Sequence, residues 1–78
     1  MQVHVRHFAV LRERRGLDEE FVEIFPGETI AGLYGRLFPP GPEGALPVAF
    51  SMDHAYVSGE TVLEDGAEVA FIPPLGGG

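Results

Sequence analysis

Few side chains in this sequence are of a type that does chemistry. It has no cysteine, so no thiolate nucleophile, disulfide or zinc–sulfur site is available. The three histidines are His4, His7 and His54. His4 and His7 differ in strand parity and point to opposite faces, so they cannot share a metal, and each histidine reads as a surface or rim residue. Ser51 and Ser58 lack the strand–turn–helix setting of an activated serine. Asp18-Glu19-Glu20 reads as a solvated acidic run, and Gly27 stands alone rather than in a phosphate-cradling loop. One group remains, the main-chain carboxylate of Gly78 at the end of Pro73-Pro74-Leu75-Gly76-Gly77-Gly78. An α-carboxyl has a pKa of about 3.3–3.7, so it is ionised at neutral pH. Glycine lacks Cβ, and a run of three can thread a cleft one backbone wide. The two prolines have fixed φ and no N–H, cannot continue a central strand, and push the tail off the folded body. We read residues 75–78 as a presented, reactive terminus on a single domain of residues 1–74.

The elements that must hold this terminus follow from periodicity. Val3, Val5 and His7 alternate with Gln2, His4 and Arg6, which predicts a half-buried strand. The cluster Arg12-Glu13-Arg14-Arg15 reads as a solvated loop or short turn. Phe21 to Phe25 predicts a second strand hairpinned to the first, with Phe21, Glu23 and Phe25 on one face and Val22 and Ile24 on the other. The pattern leaves open which face is buried. Thr29 reads as an N-cap, followed by Ile30, Leu33, Tyr34, Leu37 and Phe38 along one helical stripe. Pro39-Pro40 stops that helix and opens an irregular connection over residues 39–47. Val48, Phe50 and Met52 predict a third strand, Tyr56-Val57 a short one, and Ala67 to Ile72 the last. Asp65-Gly66 is the strongest turn signal, read as closing a final hairpin after Val62-Leu63. The order predicts an α+β fold, a mixed sheet with one main helix across one face. Its expected core is Val3, Val5, Ile30, Leu33, Leu37, Phe50, Val57, Leu63, Val69 and Phe71.

Composition narrows the function classes. Of 78 residues, 12 are acidic and only five are basic, all arginine, for a net charge of −7. A phosphate backbone repels such a surface, which argues against nucleic-acid binding. Without lysine there is no side-chain amine to receive an isopeptide bond. No apolar run approaches the ~18 residues of a membrane span, and the charged, alternating N-terminus is unlike a signal peptide. These features point to a soluble cytoplasmic protein.

Three motifs in register carry a resemblance. Phe8-Ala9-x-x-Arg12-Glu13-x-x-Gly16 near the start, Thr29-Ile30-x-x-Leu33 at the helix, and Leu63-x-Asp65-Gly66-x-Glu68-Val69-Ala70-Phe71-x-Pro73-Pro74-x-x-Gly77-Gly78 at the end resemble the small subunit of molybdopterin synthase. The resemblance implies a β-grasp, ubiquitin-like fold and a sulfur-carrier role in molybdenum cofactor biosynthesis. Gly78 would be adenylated by a ubiquitin-activating-type adenylyltransferase that uses ATP and Mg, then converted to a thiocarboxylate with sulfur from a donor system. The chain itself would bind no cofactor and no metal and would not be catalytic alone. Its tail would enter the large subunit of molybdopterin synthase, with Gly77 in the narrow entry path and Gly76 as spacer. Two departures from the family pattern are Asp53, where Asn is frequent, and the proline-rich connection. Alternatives are a carrier for thiamin synthesis or tRNA thiolation, or a non-reactive β-grasp interaction module.

Strand parity also places the docking surface. With Val3, Val5, Val69 and Phe71 inward, Arg6, Ala70 and Ile72 point away from the helix. In a β-grasp fold the first and last strands are neighbours, which would join Phe8, Ala70 and Ile72 into an apolar patch at the root of Pro73, Pro74 and Leu75.

Overall fold

The computed structural model describes residues 1–74; Leu75, Gly76, Gly77 and Gly78 lie outside the described residues. The strands are β1 (Gln2–Arg6), β2 (Glu19–Glu23), β3 (Ala49–Met52), β4 (Ala55–Val57) and β5 (Glu68–Ile72). They form one sheet in the order β2-β1-β5-β3-β4. β1 runs parallel to β5, and the other neighbours are antiparallel. A helix, α2 (Ile30–Leu37), supplies Ile30, Leu33 and Tyr34 to the core. This is the β-grasp arrangement that the motifs imply.

Alternation decides which face is covered. Val3, Val5, Val69 and Phe71 have no exposed surface and meet Ile30, Leu33 and Leu11. Tyr34, Phe38, Phe50 and Phe71 stack in a tilted and edge-to-face cluster with centroids 5.1–6.2 Å apart, the geometry that ring quadrupoles favour. Leu37, Phe50 and Val57, expected in the core, pack against it only partly buried. On β2 the open question is settled: Val22 and Ile24 are buried, while Phe21 and Phe25 are 70% and 61% exposed. α2 begins where Thr29 Oγ1 accepts the Gly32 N–H at 3.0 Å, the side-chain cap anticipated for that residue.

Three expectations need correction. The Arg12–Arg15 cluster is not a loop but the end of a second helix, α1 (Ala9–Arg15). It forms because Leu11 is fully buried and Gly16, at φ 75°, returns its N–H to the Arg12 carbonyl at 2.8 Å. Three arginines in the last turn also complement the helix dipole. Second, β2 begins two residues earlier than expected, since Glu19 and Glu20 pair with Arg6 and Val5. Third, Val62-Leu63 does not hairpin with β5. Val62 bridges Thr29, and the Leu63 N–H donates to the Glu28 carbonyl at 2.9 Å. The Asp65-Gly66 turn is present, with Gly66 at φ 83°, but it serves β1. Asp65 Oδ1 accepts the Gln2 N–H at 2.9 Å, and the Gly66 N–H donates to the Gln2 carbonyl at 2.8 Å.

Candidate functional site

The chain leaves the fold from β5, a central strand held on both sides. Its outward residues are Glu68, Ala70 and Ile72, each half-buried, and its inward ones are Val69 and Phe71. Arg6 of β1 is the register partner of Ala70, and Ser51 of β3 is its partner on the other side. Tyr56 of β4 lies beyond Ser51. Ala70 and Ser51 are small, so their row forms a floor. Arg6, Phe8, Tyr56 and Ile72 surround it, leaving a hollow of about 400 Å³. Phe8, Ala70 and Ile72, expected to form one patch, do line one surface.

Phe8 is held there by the start of α1. It occupies the N-cap position with extended backbone, φ −130° and ψ 150°. Its carbonyl accepts from the N–H groups of Leu11 and Arg12 at 3.0 and 3.3 Å. Ala9 follows at φ 50°, a left-handed conformation that costs a non-glycine residue about 1–2 kcal/mol. Phe8 stays 42% exposed beside this strained residue. Two more left-handed residues, Asp53 at φ 51° and His54 at φ 69°, form the β3–β4 turn at the other end of the hollow. Strained backbone of this kind concentrates at recognition and active sites. The turn is pinned to β5: Asp53 Oδ1 accepts the Glu68 N–H at 2.9 Å, and His54 Nε2 lies 3.1 Å from Glu68 Oε2.

The prolines behave differently from each other. Pro74 is exposed, whereas Pro73 is buried and joins Ile72 beside Pro47, Val48 and Ala49 in a second, shallower depression. Pro73 therefore anchors the exit of the chain and is not presented to a partner in the isolated domain. Leu75, Gly76, Gly77 and Gly78, expected to form the tail, are outside the described residues.

The histidines are sorted as parity requires, but one is not at the surface. His4 faces outward, stacked on Phe21 with centroids 4.9 Å apart. His54 is exposed. His7 has a fully buried side chain, a correction to the expected rim position. Its Nε2–H donates to Glu20 Oε2 at 2.7 Å, and its ring meets Phe38 edge-on at 5.5 Å. Glu20, expected in a solvated run, faces inward on β2 for the same reason. Arg15 grips its carboxylate through Nε and Nη2 at 2.7 and 2.6 Å. That paired grip holds the Glu20 carboxyl below its ordinary value; burial opposes the shift, and His7 adds to it. Among the described residues, no group of three histidine or acidic side chains is placed to hold a metal.

Comparison with known proteins decides the family. The model of the ThiS family matches residues 5–78, nearly the entire chain. The chain belongs to the ThiS family. A molybdopterin synthase sulfur carrier subunit from Chlamydomonas reinhardtii is 34% identical over 83 aligned residues, with both sequences covered in full. Among solved structures, SAMP1 from Haloferax volcanii superposes with a TM-score of 0.79 at 20% identity, over the full length of both chains. A chain of the protein–protein complex of subunits 1 and 2 of molybdopterin-converting factor from Helicobacter pylori matches with a TM-score of 0.64 at 22% identity, again over both full lengths. At these identities the structural matches establish the fold. The ThiS family match extends through Gly76, Gly77 and Gly78.

Proposed function

We propose that this chain is the sulfur-carrying small subunit of a molybdopterin synthase, and that Gly78 is its reactive residue. The observation that supports this best is the full-length, 34% identity to a molybdopterin synthase sulfur carrier subunit. In the proposed sequence, an ionised oxygen of the Gly78 carboxylate attacks the α-phosphorus of ATP and pyrophosphate leaves. The acyl-adenylate formed carries a good leaving group on the carboxyl carbon. Hydrosulfide delivered by the donor system then attacks that carbon, AMP departs with loss of a proton, and the terminus becomes a thiocarboxylate. The adenylyltransferase, its ATP and Mg, and the sulfur donor supply the catalytic groups, while this chain supplies the deliverable carbonyl. The chain is not an enzyme alone. Its second partner is the large subunit of the synthase, whose cleft receives Gly77 and Gly78, with Gly76 as spacer. The sheet face bearing Phe8, Ala70 and Ile72, continued by Pro74 and Leu75, is the docking surface that fixes the root of the tail.

Intact-mass spectrometry after incubation with the activating enzyme, ATP and a sulfur donor tests the chemistry. The expected product has one oxygen replaced by sulfur. Deleting Gly78, or adding a residue after it, should abolish molybdopterin formation with the large subunit. Full activity of an extended chain that remains untrimmed would overturn the carrier reading.

A further inference from the structure

Arg6 sits in the wall of the hollow without an ion-pair partner among the described residues. It projects from the outward face of β1 and is exposed. Its register neighbours are Glu19 and Ala70. Among the described residues it takes part in no ion pair, although two carboxylates are close in the sheet. Both are engaged elsewhere. Glu19 Oε1 lies 3.1 Å from His4 Nε2. Glu68 stands between two histidines, with Oε1 3.6 Å from His4 Nδ1 and Oε2 3.1 Å from His54 Nε2. Neither carboxylate comes within ion-pair distance of Arg6, whose guanidinium lines the small-floored hollow together with Ser51, His54 and Glu68.

This matters when the face is covered. A guanidinium taken out of water without a counter-charge is strongly disfavoured, so a partner that seals this hollow must supply an anion or avoid Arg6. We propose that the large-subunit partner inserts an aspartate or glutamate side chain into the hollow, where Arg6 holds its carboxylate. This rests on the reading that the Phe8–Ala70–Ile72 face docks on that subunit. Arg6 presents paired N–H donors that match the two carboxylate oxygens, and the Ser51 hydroxyl can donate to the same group. Phe8, Ile72 and Tyr56 exclude water around it. The chain's net charge of −7 disfavours an acidic partner at long range, so the contact selects the correct partner and register and does not steer the encounter.

Calorimetric titration of the large subunit against wild type, Arg6→Met, Arg6→Lys and Phe8→Ala tests this, with circular dichroism confirming that each variant is folded. Arg6→Met should weaken binding at least about tenfold. Arg6→Lys should recover part of that loss, since it keeps the charge but not the paired donors. In Arg6→Glu, reversing the matching acidic residue of the large subunit to arginine should restore binding. Wild-type affinity for Arg6→Met alongside weakened Phe8→Ala would overturn the carboxylate contact and leave the docking face standing. Wild-type affinity for both would remove the docking face and this contact together.

Discussion

The imidazole of His7, fully buried, donates from Nε2 to Glu20 Oε2 across 2.7 Å. A carboxylate only accepts, so this contact places a proton on Nε2. Nδ1 is buried with no hydrogen-bond partner among the described residues. Glu20 is shared with Arg15, so β1, β2 and the end of α1 are tied at one carboxylate. The tie lies next to Phe8 in sequence, and it closes the loop from which Phe8 projects.

Acid should loosen this tie. The Glu20 carboxyl is held below its ordinary value of 4.5, chiefly by Arg15. A group whose folded pKa is depressed contributes stability that is fully present above its unfolded value and is lost as pH falls through the folded one. The contribution should therefore fade from about pH 5 downward. Glu28, lowered by Arg36, adds a parallel dependence. Glu20→Gln should cost about 1–3 kcal/mol at neutral pH, and the gap to wild type should shrink in acid while the Glu28 dependence persists. Urea unfolding of both proteins at pH 7 and pH 3.5 measures this; a gap that stays constant would place the stabilisation elsewhere.

Two glycines should respond to alanine with opposite signs. Gly35 lies inside α2, and a Cβ there meets nothing within 4 Å. Gly35→Ala should stabilise by about 0.5–1 kcal/mol through helix propensity alone. Gly59 lies under α2, where a Cβ would come within 3.0 Å of both Ala31 Cβ and the Phe50 ring. The Gly59 carbonyl also accepts the Ala31 N–H at 3.0 Å, so the loop cannot easily retreat. Gly59→Ala should cost about 1–3 kcal/mol. Thermal unfolding of the two variants beside wild type checks both signs.

Elements carried by a clear period were legible in the sequence. The Ile30, Leu33, Tyr34 stripe behind Thr29 gave the helix and its cap, parity turned Ala70 and Ile72 away from that helix, and the β-grasp neighbourhood of first and last strands, implied by the resemblance, joined Phe8 to them. Signals that depend on tertiary partners were not legible. Arg12–Arg15 reads as a solvated run until Leu11 is seen buried beneath it. The Gly16 that follows was the available sign of a helix end. His7 sat at an inward parity position, yet only Glu20 across the hairpin explains how a histidine could be buried there. Asp65-Gly66 has the composition of a hairpin turn, but β5 pairs in parallel with β1, a relationship that no local signal encodes. Arg6 gave no signal at all, because its interest lies in where the neighbouring carboxylates turn.

The docking face can be separated from the tail. Phe8 is 42% exposed and shares the hollow with Ala70 and Ile72. Scattered exposed hydrophobes are ordinary on a protein surface, but these three converge where the chain leaves β5, and a tail delivered into a cleft needs its base fixed. Burying the Phe8 ring against the large subunit should contribute about 1.5–3 kcal/mol, which is roughly ten- to a hundredfold in affinity. Phe8→Ala should lose that amount. Ile72→Asp should lose at least as much, because it replaces the apolar contact with a carboxylate that also competes for Arg6. Both positions face away from the core, so the isolated domain should keep its fold, which circular dichroism can verify. Titration of the large subunit then decides the matter: folded variants that bind as tightly as wild type would mean that the partner grips the tail alone.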